Sequence, residues 1–323
     1  MIRLRAFRNG DPPALANLWN RALPDRGVVR PLGPHEFDDL VLCRVGFDPQ
    51  GLIVAEDGGR IIGFVHAGFG PESPRGPSQA LDRELGTIAM LAIDPDREKS
   101  EIARELFAEA ERYLELRGAR VIYAGGQMPL DPFYRGVYGG SEWAGILDSH
   151  ESFHRAATDA GYDAVSTTVL LDLDLTGVEV RDPKAPIIRR QARLEVAEDA
   201  DPAGWWEAQA LGHGQICRFR LVARADGIEL ARASTWDMAA FGRLDGRART
   251  GLFDVEVPPE HRRKGFGRHL VAEILRHVKS QWGEVVSVQT RTTNAPALSL
   301  YRTIGFEPVG SAILYRRPGD RAS

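Results

Sequence analysis

The sequence predicts an α/β protein with a mixed, mostly antiparallel sheet, built as two copies of one folding plan. The order of apolar strands and amphipathic helices is the same in both halves. Landmark residues recur at spacings of about 145 to 165 residues, which indicates duplication of a domain and not a small solenoid repeat. The chain of 323 residues is long enough for about two domains.

Strand and helix patterns alternate along the first half. Alternating or continuous apolar runs indicate strands, apolar residues three or four positions apart indicate helices, and glycine and proline mark the breaks. Asp11 is placed to cap the first helix, and Gly118 to end the longest one. The expected elements are a strand at 2–8, helices after Asp11 and near 35–42, a hairpin at Gly58-Gly59, a strand at 87–94, a helix up to Gly118, a strand after it, a helix near 151–160 and a strand at 164–175.

The second half repeats this order. Its hairpin is indicated by Asp226-Gly227, and one of its strands stops at Pro258-Pro259. The longest helix carries apolar residues on one face, as a helix packed against a sheet does. The expected elements are a strand near 187–195, a helix around Trp205 and Trp206, the two hairpin strands, a strand at 250–257, a helix at about 265–281, a strand, a helix near 295–303 and a final strand.

Matching landmarks and a proline-rich connection divide the chain. Prolines and charges between Asp182 and Pro186 suit an exposed linker. We therefore predict a first domain at 1–180, a linker at 181–186 and a second domain at 187–323. The matched landmarks are Pro95 with Pro259, Leu106 with Leu270, and Gly161-Tyr162 with Gly305-Phe306.

Composition and charge exclude several classes of protein. Hydrophobic residues make up 43% and charged residues 27%, as in folded globular chains. The net charge of −4 argues against a nucleic-acid partner, and no apolar run is long enough to span a membrane. Cys43 and Cys217 lie in different halves and cannot form a disulfide framework. We therefore expect a cytoplasmic protein.

An anion-binding turn is predicted at the start of the helix near 265. The strand stops at two prolines, and the basic run Arg262-Arg263-Lys264 leads into Gly265-Phe266-Gly267. The first amides of a helix lack internal partners, the helix dipole adds positive charge, and glycines let a phosphate approach the backbone. The turn fits a pyrophosphate, although a solvated basic face would show the same residues. The dinucleotide fingerprint fails at Leu270.

Two motifs of the second half resemble those of the GCN5-related N-acetyltransferases. Arg262-x-x-Gly265-x-Gly267 resembles motif A of that family, which follows a strand and a proline. The segment 294–306 resembles motif B, with Asn294, Tyr301, Gly305 and Phe306 in place. The resemblance covers the whole chain as a tandem pair of domains, but the motifs are strong in the second half alone.

The resemblance implies acetyl-CoA as co-substrate, no metal, and a primary amine of a small molecule or peptide as acceptor. The backbone of a splayed strand at Val255 and Val257 would pair with the pantetheine arm, and the turn with Arg268 would bind the pyrophosphate. A monomer or a homodimer is compatible with this organisation. The implied cofactor-binding residues are Val255, Val257, Arg262, Arg263, Lys264, Gly265, Phe266, Gly267, Arg268 and Asn294.

The catalytic residues implied by the resemblance are Tyr301 and Glu256. Tyr301 would protonate the departing thiolate, a role that suits a phenol, although a half-buried helix aromatic would look the same. An ammonium must lose a proton before it attacks a thioester, which requires a base. Glu256 and Asp254 point to one face of their strand, and Glu256 is favoured; Gln289 on the following strand cannot act as a base. A water chain or a residue of the other half stays open.

The first half departs from both motifs. Aligned on the proline and the helix, Glu98 replaces Arg262, Glu101 replaces Gly265, Ala103 replaces Gly267 and Ala157 replaces Tyr301. Glutamates repel a pyrophosphate, so we expect a degenerate copy without acetyltransferase activity. Its long aromatic loop at 127–149 is expected either to shape the acceptor side of the cleft or to pack against the other domain.

Two other functions compete with acetyl transfer. His150, Glu151 and His154 match the H-E-x-x-H pattern of zinc hydrolases. Ala157 and Ala160 occupy the places of the further conserved glycine and histidine of one such class, so coincidence is the preferred interpretation. A non-catalytic acyl-CoA-binding or regulatory module is the second alternative.

Overall fold

The computed structural model describes residues 2–73, 78–97, 100–127, 133–211 and 215–319. The first half follows the predicted order of strands and helices. Its short second helix continues into one turn of π-helix at Asp38–Leu42, within the predicted helix near 35–42. The elements of the first half are β1 (Ile2–Ala6), α1 (Pro12–Ala22), α2 (Pro34–Phe37), β2 (Leu52–Asp57), β3 (Arg60–Pro71), β4 (Leu81–Ile93), α3 (Ser100–Leu116), β5 (Val121–Ala124), β6 (Ile146–Leu147), α4 (Glu151–Asp159) and β7 (Asp163–Asp174).

The second half repeats the plan with one difference from the sequence-based prediction. The strand expected near 187–195 is wrong in its first part, because residues Ala185–Gln191 form a helix. Pro186 occupies the first turn of this helix, where its missing amide costs nothing, and Ile188 is buried in the second-half core. The elements are α5 (Ala185–Gln191), β8 (Ala192–Ala197), α6 (Trp205–Leu211), β9 (Ile216–Ala223), β10 (Glu229–Asp237), β11 (Arg249–Glu256), α7 (Phe266–Ser280), β12 (Val285–Arg291), α8 (Ala295–Ile304) and β13 (Glu307–Arg316).

All strands belong to one continuous sheet. The hydrogen-bonded order is β1-β2-β3-β4-β5-β13-β7-β12-β11-β10-β9-β8, with β6 beside β13. Among the described pairs, β4 with β5 and β11 with β12 are parallel, and the others are antiparallel. The prediction of a mixed, mostly antiparallel sheet is confirmed.

The two halves exchange their last strands. β13, which ends the second half, lies beside β5 of the first half, and β7, which ends the first half, lies beside β12 of the second. β7 and β13 pair with each other at the centre of the sheet. Backbone ladders therefore join the two halves, and the domain limits at 180 and 187 stay a prediction.

The segment between the halves is held by a buried contact. Asp182 accepts a hydrogen bond of 2.6 Å from Nδ1 of His269 on α7, and both side chains are almost fully buried. The predicted linker therefore lies against the first turns of α7 instead of crossing open solvent.

Stability is expected to fall as the pH drops from about 6.5 towards 3. Burial lowers the pKa of both His66 and His150 to about 3, whereas an unfolded histidine titrates near 6.5. The unfolded chain thus binds more protons in this window, so acid favours unfolding by about 1.4 kcal/mol per pH unit for each histidine. Urea unfolding at pH 7 and at pH 5 measures the slope. The variant His66→Asn, which cannot titrate, should show a smaller slope; an equal slope would contradict the assignment.

Candidate active site

The turn that precedes α7 has the geometry of an anion site. β11 is followed by a 3-10 turn at Pro259–His261, and Gly265 caps α7 with φ +98°. The first amide of α7 that donates a backbone hydrogen bond is that of His269, whose nitrogen lies 3.0 Å from the carbonyl oxygen of Gly265. The amides of the three residues between them have no backbone hydrogen bond within the described ranges, so they remain available to a ligand.

Both glycines of the turn are required by their surroundings. The positive φ of Gly265 is a conformation that side chains disfavour, and a Cβ there would lie 3.0 Å from Cδ of Lys184. A Cβ on Gly267 would lie 3.1 Å from Cγ2 of Val257. Glycine therefore lets α7 start close to the end of β11. The Nε of Arg262 donates to the carbonyl of Val257 at 3.0 Å, which ties the basic run to the same strand end.

The charges of this turn are accessible, and one of them comes from elsewhere in the chain. Arg262, Arg263 and Lys264 are exposed. Lys184 is also exposed, and its Nζ lies 3.8 Å from the position of a Cβ on Gly265. Sequence reasoning missed Lys184, because it assigned this residue to the linker. Lys184 lies near the turn because Asp182 is bonded to His269, and no local sequence pattern predicts that contact.

β11 and β12 diverge next to this turn. They pair in parallel at Arg249–Gly251 with Val285–Ser287, and no pairing follows further along the two strands. On its other side β11 shifts register against β10, and Asp254 has φ +52°. This bulge separates the strands ahead of α7 and leaves the backbone of Val255 outside both ladders. The splayed strand that the resemblance implied is present.

Asn294 and Tyr301 lie on α8, where motif B places them. Asn294 caps the helix: its Oδ1 accepts from the amide of Ala297 at 3.3 Å, and its Nδ2 donates to Oγ1 of Thr290 at 3.1 Å. Tyr301 is 4% exposed and packs edge-on against Phe306. Burial raises the pKa of Tyr301, and the negative charge of Glu142 adds to the rise. The phenol therefore stays protonated at neutral pH, as a proton donor must.

The carboxylates of β11 lie at the edge of this site. The side chain of Glu256 is about half exposed and forms an ion pair with Arg232 on β10. Asp254 lies 3.9 Å from Nε of the same arginine. Gln289 on β12 is buried, and its Nε2 finds no partner in the part of the chain that the structure describes. Glu256, the residue of β11 that is favoured as base, is thus engaged in an ion pair with Arg232.

The aromatic loop of the first half is packed on its own domain at one end. Tyr134 is fully buried, stacks on Trp19 with ring centroids 5.8 Å apart, and its hydroxyl lies 2.9 Å from Nδ1 of His66. Phe133 stacks on the other side of His66 at 4.1 Å. These residues belong to the first-half core, so deletion of 133–143 would remove core side chains along with any functional ones.

The same loop reaches the second half at its other end. The carbonyl of Ser141 accepts a hydrogen bond of 3.0 Å from Nε1 of Trp236 on β10. The guanidinium of Arg135 lies over the ring of Phe253 at 5.0 Å, and Trp143 packs against Trp205. The packing alternative for the loop is thus observed, and it places part of the loop beside the splayed end of β11.

A cavity of about 320 Å³ lies between the halves on this face of the sheet. Gly140 and Ser141 of the loop line it together with Gln289 of β12. Its polar wall also includes Asp172, which accepts hydrogen bonds from Ser287 at 2.7 Å and from Arg249 at 3.0 Å. Residues of both halves therefore enclose this space.

The first half lacks an equivalent constellation in the residues described. Ala157 is fully buried in the first-half core, and Ala103 packs in the same core. Glu101 lies in the first turn of α3. Glu98, which the alignment sets against Arg262, lies outside the described residues.

The histidines of the H-E-x-x-H segment are engaged with the protein. Nδ1 of His150 lies 3.1 Å from the hydroxyl of Tyr138. His154 lies 2.9 Å from both the hydroxyl of Tyr315 and the carbonyl of Leu147. No group of three or more potential metal ligands occurs among the residues that the structure covers.

Two family models match the chain, one in each half. The model described as the acetyltransferase (GNAT) family matches residues 13–138, and the FR47-like protein model matches residues 231–313. A tandem GNAT protein from the clavulanic acid biosynthesis pathway has a similar structure, with a TM-score of 0.68, 16% identity and coverage of 100% of both chains. The GCN5-related glucosamine N-acetyltransferase region of a fungal β-N-acetylglucosaminidase gives a TM-score of 0.72 at 16% identity over 98% of this chain and 38% of that one. At such identities the likeness is one of fold.

Curated relatives match parts of the chain. An acetyltransferase of Pectobacterium atrosepticum is 29% identical over 38% of this chain and 74% of its own length. The N-alpha-acetyltransferase RimI of Mycobacterium tuberculosis is 34% identical over 25% of this chain and 52% of its own. A mycothiol acetyltransferase of Thermobifida fusca is 30% identical over 38% of this chain and 34% of its own, so the chain spans about a third of that relative.

Fold and matches together define an acyltransferase with two GNAT-type domains in tandem. The first half matches the model of the GNAT acetyltransferase family, whose members transfer acyl groups from acyl-CoA, and the whole chain shares its fold with a tandem GNAT protein. The resemblance stated from the two motifs is thereby confirmed. None of the described helices is long and apolar enough to cross a membrane.

Proposed function

We propose that this protein is an N-acetyltransferase that transfers the acetyl group of acetyl-CoA to a primary amine in its second half. The observation that carries this proposal is the turn from Arg262 to Gly267, which presents unpaired helix amides beside the splayed strands β11 and β12. The similarity to an N-alpha-acetyltransferase supports an amine acceptor. The first half is proposed to have no acetyltransferase activity of its own.

The residues of the turn fit the pyrophosphate of CoA. The amides of Phe266, Gly267 and Arg268 would donate to it, and a Cβ at Gly265 would close the approach. Arg262, Arg263 and Lys264 would add positive charge. The backbone of Val255 and Val257 would pair with the pantetheine arm, with Asn294 at the start of α8 beside it. No metal takes part in this proposal.

Direct attack of the amine on the thioester needs a proton donor for the leaving sulfur and a hydrogen-bond donor for the oxyanion. Tyr301 is buried and protonated, so it would give its proton to the sulfur as the carbon–sulfur bond breaks. A backbone amide that the β11 bulge frees from both ladders, that of Val255, would donate to the oxyanion. The family pattern favours Glu256 as a candidate base, and its carboxylate is ion-paired with Arg232.

Binding of acetyl-CoA tests the proposal directly. We expect calorimetry to show one site per chain, because the first half lacks the glycines of the turn. Release of free thiol in the presence of primary amines then measures transfer. Absence of binding at high micromolar acetyl-CoA would contradict the proposed function. A small-molecule or peptide acceptor, action in the cytoplasm and a monomer or homodimer without nucleic acid belong to the same proposal.

Lys184 is expected to strengthen the binding of acetyl-CoA through its charge. Lys184→Ala should raise the Kd about two- to fivefold at low ionic strength, since exposed charge contacts contribute up to about 1 kcal/mol. The difference should vanish in high salt, which screens exposed charges. Lys279→Ala, at the opposite end of α7, is the matched control and should leave the Kd unchanged. An unaltered Kd for Lys184→Ala at low salt would remove this residue from the site.

A further inference from the structure

Charged side chains of both halves meet beside the splayed end of β11. Arg135 and Glu142 come from the loop of the first half, and Asp254 comes from the bulge of β11. Glu207 on α6 also acts on Arg135, but it is ion-paired with Arg218. Asp254 also lies 3.9 Å from Nε of Arg232 on β10. The junction therefore brings carboxylates and guanidinium groups of both halves together.

Glu142 is held at this junction by its neighbours in the chain. Ser141, which precedes it, is bonded through its carbonyl to Trp236, and Trp143, which follows it, packs against Trp205. Both partners belong to the second half. A Cβ on Gly140 would lie 3.2 Å from Oε1 of Gln289, so the loop passes directly over β12. These contacts hold the backbone around Glu142 against β10, α6 and β12 of the second half.

Polar groups around Glu142 lack partners. Arg135 is 5% exposed, and its Nε and Nη2 make no hydrogen bond within the described ranges. The buried Oγ of Ser141 and Nε2 of Gln289 also make no hydrogen bond to any described residue. Glu142 itself has no side-chain hydrogen bond or ion pair to any described residue. Buried polar groups without partners are costly, and several at one place indicate a site that a polar ligand completes.

We infer that Glu142 of the first half is the general base of the acetyl-transfer site in the second half. This inference rests on the proposed function and deepens it. It assigns to the first half, which lacks the binding turn, a part in the reaction of its partner. The cavity whose wall includes Gly140 and Ser141, the two residues that precede Glu142 in the chain, is then the acceptor side of the site.

The nitrogen of the acceptor loses two protons during the reaction, and each of them is accounted for. Glu142 takes one proton from the acceptor ammonium, which leaves a neutral amine, and later returns it to water. The amine nitrogen bonds to the thioester carbon, and the carbon–sulfur bond breaks with its electron pair on sulfur. Tyr301 protonates the sulfur, and the second proton of nitrogen, passed on through water, restores the phenol. An amide, free CoA and one proton result.

The environment of Glu142 suits this role. Burial raises its pKa to about 7, opposed by Arg135 and reinforced by Asp254. A base works best with a pKa near the working pH. A carboxylate at this place attracts an ammonium group and disfavours an anionic nucleophile. The charged groups that face Glu142 are Arg135 on its own loop and Asp254 on β11, and the titratable phenol of Tyr301 on α8 lies within reach of its charge.

Two probe amines separate a base from a structural residue. Ethanolamine is an ammonium at neutral pH and needs a base, whereas aniline is already neutral and does not. Glu142→Gln should lower kcat/KM for ethanolamine by about a hundredfold or more, as loss of a general base does. It should leave turnover of aniline and the Kd of acetyl-CoA nearly unchanged. Wild-type turnover of ethanolamine should rise with pH through about 7, where Glu142 becomes a carboxylate. The variant should lack this rising limb of the pH profile.

The control is Glu109→Gln, the same substitution on α3 of the first half, where Glu109 pairs with Arg112. Equal kinetics of the Glu142 and Glu109 variants would overturn the inference and leave the proposed function intact. Equal loss with both amines in Glu142→Gln would also overturn it, because a base affects the ammonium probe alone. If Glu256→Gln removes the limb near pH 7 in place of Glu142→Gln, the base is Glu256.

Chemical labelling decides the case in which neither probe is turned over. A carbodiimide with ethanolamine at pH 6.5 should modify Glu142, because a large share of this carboxyl is protonated there while ordinary carboxyls are ionised. Acetyl-CoA should protect it, as detected by peptide mass spectrometry. Labelling without protection, or no labelling, would overturn the inference. Absence of acetyl-CoA binding to the wild type would overturn the proposed function, and this inference with it.

Discussion

Gly265→Glu is expected to abolish the binding of acetyl-CoA, with a rise in Kd of at least a hundredfold. The substitution places a carboxylate where the pyrophosphate would approach the first amides of α7. It also forces a side chain onto φ +98° and to within 3.0 Å of Lys184. Repulsion between like charges and loss of access to the amides act in the same direction. A hundredfold rise corresponds to about 2.7 kcal/mol of binding free energy.

Calorimetry of the variant measures this effect, and two further variants separate its causes. Gly265→Ala keeps the strain and omits the charge, so it should weaken binding less. Gly227→Glu adds the same charge at another positive φ, +74°, in the β9–β10 turn, where no atom lies within 4 Å of the new Cβ. It should bind acetyl-CoA as the wild type does. Normal binding by Gly265→Glu would exclude the turn before α7 as the pyrophosphate site.

Tyr301→Phe is expected to lower kcat for thiol release by about a hundredfold to ten-thousandfold, the range for loss of a general acid. The phenyl ring keeps the packing against Phe306, so the free energy of unfolding should change little. The Kd of acetyl-CoA should also stay the same, since the hydroxyl acts on the leaving sulfur. A selective loss of kcat would therefore locate the defect in the chemical step.

The matched control for this variant is Tyr113→Phe. Tyr113 is a buried phenol of α3 in the first half, and its hydroxyl donates to Asp48 at 3.1 Å. Its removal should cost a little stability and leave kcat at the wild-type value. Wild-type kcat in Tyr301→Phe would show that the thiolate leaves without help from this phenol, and a parallel loss of acetyl-CoA binding would assign Tyr301 to binding.

The conformation of the turn before α7 could be predicted from the sequence because it depends on neighbours in the chain. The prolines after β11, the basic run and the two glycines before α7 lie within ten residues of each other, and each imposes its own local constraint. Gly265 adopts the positive φ that only glycine takes without strain. Asn294 caps α8 and Gly305 ends it, again through local geometry.

The base could not be predicted in the same way. Strand alternation places Glu256 on one face of β11 but does not show that Arg232 on β10 occupies its carboxylate. Glu142 lies more than a hundred residues earlier in a loop whose aromatic residues signal burial but not what they are buried against. A carboxylate becomes a candidate base through its surroundings, and here those surroundings come from the other half of the chain.

The class of fold, the repeat of one plan and the glycine turn before α7 could all be predicted from local sequence patterns. Periodicity, caps and glycines express the conformational preferences of short segments, and these are readable without the rest of the chain. The tertiary structure alone decided the exchange of β7 and β13, the approach of Lys184 to α7 and the place of Glu142. β7 and β13 have similar strand patterns, so the sequence does not show which of them pairs with β5 and which with β12. That pairing depends on packing between segments far apart in the chain.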